Sequence, residues 1–220
     1  MSKALKILMA DSVREKQRIW SQINITKFAE KMHASKTLKS EECCDTLHQE
    51  KRRNGTEARQ HPKRTLRAFI YYVVYVHKIT YDDEAGAAVP IHDLGEDVSL
   101  IILIGGEYRY GNQTTHYALV LSKDENETIE ESHDRIVSID VTIMIKLCDC
   151  LDNLLEMLEE YYQGLPSATR DRLSKYLDKK IRPFIKKVED VNLENSKYKN
   201  AIMDALSDLR LVVAEAQSVV

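Results

Sequence analysis

The chain has 220 residues, of which 43% are hydrophobic and 30% charged, and a formal net charge of −3. Gly (7) and Pro (4) are too scarce for long flexible linkers, and no apolar run reaches the roughly 18 residues of a membrane-spanning helix. The near-neutral total excludes a uniformly basic nucleic-acid binder but hides a division: residues 1–67 carry +8, residues 68–165 carry −14 and residues 166–220 carry +3.

Ser12-x-x-Glu15 has the form of a capping box, and Val13, Trp20, Ile23, Phe28 and Met32 make an apolar stripe, so a helix is predicted over 12–34. Trp20 is read as core. A second helix begins near Ser40 and runs to about Arg53. Residues 51–64 lack apolar periodicity and hold Asn54-Gly55 and His61-Pro62, so they read as a linker. It would close a basic helical region, 1–64, and open a second region, 65–220.

From Leu66 to Tyr81 the chain is dense in β-branched and aromatic residues, which predicts a long strand. Residues 82–97 read as a loop. Val98–Ile104, Glu107–Tyr110, Thr115–Ser122 and a segment centred on Ile136–Ile139 follow as further strands with short turns. The helical period returns near Ile143, with Leu147, Leu151, Leu154 and Leu158 in register. A helix opened by Ser167 should bend near 179–183, because Pro183 interrupts it. A last helix follows Asn195-Ser196. The expected fold is α+β: an antiparallel meander of about four strands, flanked by N-terminal helices and by three or so C-terminal helices.

Candidate chemistry is sparse. Cys43-Cys44 and Cys148-x-Cys150 lack the spacing of a zinc ribbon or redox pair and read as free thiols. His92-Asp93 and His133-Asp134 join an imidazole to a carboxylate, as metal hydrolases and general bases do. Such pairs normally sit on helices with further histidines, and neither sequence neighbourhood offers them. Glu84, Asp93, Glu96 and Asp97 lack the spacing of a calcium loop. No catalytic residue, metal or cofactor is therefore expected.

Lys51, Arg52, Arg53, Arg59, Lys63, Arg64 and Arg67 form a basic cluster, and Asp82, Asp83, Glu84, Glu96 and Asp97 an acidic one. Tyr108, Arg109 and Tyr110 are candidates for base stacking. The functional expectation is a non-enzymatic structural or interaction protein, plausibly virus-encoded, that self-associates or joins other subunits through opposite charges. The alternative is a regulatory factor binding nucleic acid through residues 51–67. A cytoplasmic, or nuclear, location follows from the lack of a signal segment.

Overall fold

The computed structural model describes residues 3–47, 60–92, 111–124, 126–165 and 169–220, with backbone only for 3–10 and 43–47. Among the described residues there is no strand, and the fold is all-helical. The expected α+β class, with its four-strand meander, is therefore overturned. The reason lies in the segments that carry β-branched and aromatic side chains.

Helices α1 (Lys3–Ser21), α2 (Ile25–Lys31) and α3 (Ser35–Leu47) open the chain. Ser12-x-x-Glu15 lies inside α1 and caps nothing; the break comes later, where the Asn24 side chain accepts from Lys27 N at 2.9 Å and starts α2. Helix α4 (Gln60–Ile70) continues into a π-helical turn, Tyr71–Val76, where a strand over 66–81 was expected. Leu66, Phe69, Ile70 and Val73 recur at three- and four-residue steps and are almost fully buried. That is a helical face, and burial on it outweighs the strand preference of the individual residues.

Helix α5 (Asp83–Ile91) replaces the expected loop. Asp82 caps it, accepting from Glu84 N at 3.1 Å and Ala85 N at 3.2 Å. Helix α6 (Asn112–Leu121) replaces the strand at 115–122, and buries Thr114, Thr115, Ala118 and Leu121 at helical spacing. Helix α7 (Ile129–Val137) covers most of the segment read as the last strand. It starts at a true capping box: Glu131 N donates to Thr128 Oγ1 (3.1 Å) and Thr128 N to Glu131 Oε2 (2.8 Å). The strands expected at Val98–Ile104 and Glu107–Tyr110 lie outside the described residues.

The C-terminal helices are α8 (Asp140–Tyr162), α9 (Arg170–Tyr176), α10 (Arg182–Glu189) and α11 (Lys199–Val219). A second π turn, Leu177–Ile181, joins α9 to α10, with Pro183 in the first turn of α10. The interruption thus falls where Pro183 predicts it.

Helix α8 packs chiefly on α11 and α4, α1 lies on α11, and α5 is packed against α3, α4 and α6. Buried apolar side chains from Val13 to Ala216 form one contiguous cluster, and residue 64, the expected region boundary, falls within α4. Charges close the α1–α11 seam. Arg14 donates to the buried Glu215 at 2.6 Å, and Lys16 to the buried Asp208 at 2.7 Å. Tyr72 and Tyr162 donate to the same two carboxylates at 2.6 and 2.8 Å. At Gly86 the α3–α5 contact leaves no room for a side chain: a Cβ would lie 1.7 Å from Tyr81 Oη and 3.0 Å from Thr37 Oγ1. No helix among the described residues is long and apolar enough to cross a membrane.

Candidate metal centre

Three helices converge polar side chains inside this apolar core. His61 sits in the first turn of α4, where Pro62 is tolerated because first-turn N–H groups have no helical acceptor. His92 caps the end of α5. Helix α8 supplies Lys146, Asp149, Asp152, Asn153 and Glu156 at three- and four-residue spacing, a polar stripe on an otherwise apolar helix. His61, His92, Asp149 and Asp152 are each at least 95% buried.

His61 lies between two carboxylates: Nδ1 is 2.7 Å from Asp152 Oδ2, and Nε2 is 2.8 Å from Asp149 Oδ1. The His92 Nδ1 is 2.6 Å from the Val89 carbonyl, which can only accept, so that nitrogen carries the proton. The His92 Nε2 lies 3.7 Å from Asp149 Oδ1. Asn153 Nδ2 donates to the same Asp149 oxygen at 2.6 Å, and Lys146 pairs with the other at 2.7 Å. Arg64 Nε holds Asp152 at 2.8 Å and Arg64 Nη2 reaches Glu156 at 2.8 Å.

The electrostatics follow. Burial alone would lower the His61 pKa, but hydrogen bonds to Asp149 and Asp152 outweigh it and raise the pKa to about 9. Burial would push the Asp149 carboxyl up, and Lys146 with the two histidines more than reverses this. Asp152 is likewise lowered against its burial by His61 and Arg64. Without a metal, a proton shared in this cluster keeps the charges balanced.

One ligand atom each from His61, His92 and Asp149 lies within 4.8 Å of the other two. An ion among them would need the 2.8 Å His61–Asp149 contact to open, so that each donor could lie at the roughly 2.0–2.2 Å of a transition-metal bond. The surrounding shell suits this: Asp152 receives the His61 Nδ1–H, the Val89 carbonyl receives the His92 Nδ1–H, and Asn153 orients Asp149. In a metal site such partners fix the imidazole tautomer; here the His61 Nε2 is hydrogen-bonded to Asp149, so an ion would have to displace that proton. His61 and Asp149 also line a cavity of about 570 Å³, so the cluster has a way out to ligand and water.

The residues singled out from sequence are placed differently. Lys63 pairs with Glu41 at 3.5 Å, Arg64 with Asp152 and Glu156, and Arg67 Nε donates to the Ile23 carbonyl at 3.2 Å. Asp82 caps α5 and lies 3.7 Å from Lys197. Asp83 caps α3, accepting from Lys36 N at 3.1 Å and Thr37 N at 3.0 Å, while Glu84 pairs with Lys36 and accepts from Thr114 at 2.6 Å. Lys51, Arg52, Arg53, Arg59, Glu96, Asp97, Tyr108, Arg109 and Tyr110 lie outside the described residues, as does Asp93. Cys148 and Cys150 are buried thiols, and burial pushes Cys150 up to about 12.

Of the two His-Asp pairs weighed from sequence, His92 acquires the further histidine that its neighbourhood lacked, whereas His133 meets Phe184 with ring centroids 5.3 Å apart. His61, Asp149 and Asp152 carried no sequence motif. Their signal was the polar stripe Asp149, Asp152, Asn153 and Glu156 running through a leucine-rich helix. The fold and the cluster together define an all-helical chain with a two-histidine, one-aspartate site. No protein-family model matches this chain, and no curated protein does.

Proposed function

We propose that His61, His92 and Asp149 bind a divalent transition-metal ion and that the chain is a metal-dependent enzyme activating water for hydrolysis. The observation that carries this reading is the convergence of the two imidazoles on one carboxylate, each with its Nδ1 occupied by a separate acceptor. Two imidazoles and a carboxylate suit zinc, iron, cobalt or nickel rather than calcium or magnesium. Three protein ligands leave coordination positions for water, the arrangement of catalytic rather than structural sites. A bound ion lowers the pKa of its water to about 7 and so supplies hydroxide at neutral pH. In this chain Asp152 would hold the His61 ring, the Val89 carbonyl would hold His92, and Lys146 would stand beside Asp149 facing the cavity.

Cobalt titration of the chelator-treated protein tests this. One equivalent should bind and give visible d–d bands, and His92→Gln should weaken binding by about tenfold or more. A wild-type chain that takes up no cobalt, with a native melting transition, would end the reading.

A second reading keeps the division of charge in view: self-association, with the basic N-terminal region against acidic segments of a neighbour. It is favoured by exposed apolar side chains on helices that pack together, Ile19 on α1, Tyr75 and Val76 in the π turn, and Met203 on α11. Light scattering at 0.1 M and 1 M salt tests it, since the Debye length falls from about 10 Å to about 3 Å. A monomer at tens of micromolar protein in both would exclude it, and tight, salt-sensitive binding of random RNA would favour nucleic acid in its place.

A further inference from the structure

The cavity beside the candidate metal centre has an excess of positive charge. Its walls carry six cationic side chains, Lys123, Lys146, Arg172, Lys175, Lys179 and Lys180, against three carboxylates, Asp149, Glu156 and Glu160. The carboxylates are already engaged. Asp149 pairs with Lys146, Glu156 with Arg64, and Glu160 lies 3.7 Å from Arg172. Lys175, Lys179 and Lys180 meet no carboxylate among the described residues. Asp178, their neighbour in sequence, instead pairs with Arg182 on its own helix.

Cations that line one cavity repel one another, and a bound anion relieves that repulsion. Lys179 and Lys180 also sit on the π turn Leu177–Ile181, a rare widened turn that recurs at functional sites. The same cavity is also lined by Leu121, Ile136, Met157 and Tyr176. A volume of about 570 Å³ falls inside the roughly 300–1,000 Å³ of small-molecule sites. The lining thus combines cationic, apolar and aromatic side chains, and His61 and Asp149 of the candidate metal centre lie in the wall.

We infer that this cavity binds a phosphorylated small molecule, its phosphate among Lys175, Lys179 and Lys180 and its organic part over Tyr176, Met157 and Ile136. The inference rests on the metal-centre reading for its place in a reaction, but its binding contacts belong to the lysines. Lysine suits this role as a compact point charge for phosphate oxygens.

The test uses the full chain, treated with chelator so that no metal bridges protein and phosphate. Calorimetry is run with pyrophosphate, with AMP and with a short single-stranded RNA, on wild type and on the double variant Lys179→Gln, Lys180→Gln. Both lysines are exposed, and the melting temperature of the variant is the control for folding. AMP or pyrophosphate should bind the wild type, and the double variant should bind about tenfold or more weakly. Absence of binding to the wild type, or equal binding by both proteins, overturns the inference. RNA bound where AMP and pyrophosphate are not also overturns it, in favour of a polymer backbone. Cobalt uptake is scored separately: its failure ends the metal centre and leaves the phosphate result standing.

Discussion

His61 and His133 are both buried, yet their surroundings push them in opposite directions. His61 is raised to about 9 by two aspartates, against its burial. His133 is lowered to about 4, first by burial and then by Lys146 and Lys187, with Asp134 opposing. The folded state therefore binds more protons than the unfolded chain between about pH 6.5 and 9, and fewer between about pH 4 and 6.5. The His61 contribution is complete below about pH 6.5 and is lost as pH rises through 9. The His133 contribution is complete above about 6.5 and is lost as pH falls through 4. Urea unfolding of the metal-free protein should show greatest stability near neutrality. It should lose on the order of 2–3 kcal/mol toward pH 9 and about 1–2 kcal/mol toward pH 4. His133→Leu should flatten the acid limb above pH 4 and leave the alkaline limb in place. Asp152→Asn removes one partner of the half-buried Arg64 and of the buried His61, and should cost about 3–5 kcal/mol. An unchanged urea midpoint for that variant would show that the pairing is not worth its burial.

At the scale of elements, the ends of the chain were legible and its middle was not. Helices α8 and α11 announce themselves because leucines recur at helical steps and polar residues separate them. The turn before α10 was visible in Pro183. Residues 66–81 misled because Val73, Val74 and Tyr75 favour strands one by one, although Leu66, Phe69, Ile70 and Val73 trace a helical face. Ser12-x-x-Glu15 was read as a capping box, but the box that starts a helix is Thr128–Glu131, because Ser12 already lies within one. The His61–His92–Asp149 cluster was hidden for a related reason: its residues come from three separate helices, and only a helical reading of 60–70 and 83–91 points them at Asp149. Asp82 shows how a local role can stand behind a surface charge. As the cap of α5, Asp82→Ala should cost about 1 kcal/mol in urea unfolding. If Asp82 instead mediates assembly, the same substitution should lower the molar mass seen by light scattering and leave the monomer's stability unchanged.

Across the whole molecule, part of the charge division is satisfied within the chain. Arg14 and Lys16 from the basic N-terminal region reach Glu215 and Asp208 on the last helix, and Arg64 reaches Asp152 and Glu156 on α8. Because Asp208 and Glu215 are buried, these contacts should be little screened by salt. A double-mutant cycle on Lys16→Met and Asp208→Asn should give a coupling energy of about 1 kcal/mol or more at both 0.1 M and 1 M salt. A coupling that disappears at high salt would mark the pair as a solvated surface contact.

The close approach at Gly86 has a consequence for inherited change. Any side chain there would drive out the Tyr81 ring, which bonds Thr37 at 2.8 Å and stacks edge-on against Phe28. The contact it would break lies on helix α5, whose far end carries His92. A lineage could therefore disturb the His61–His92–Asp149 cluster through an alanine at Gly86 while all three of those codons stayed intact. The cluster's vulnerability in evolution extends beyond the three residues that form it.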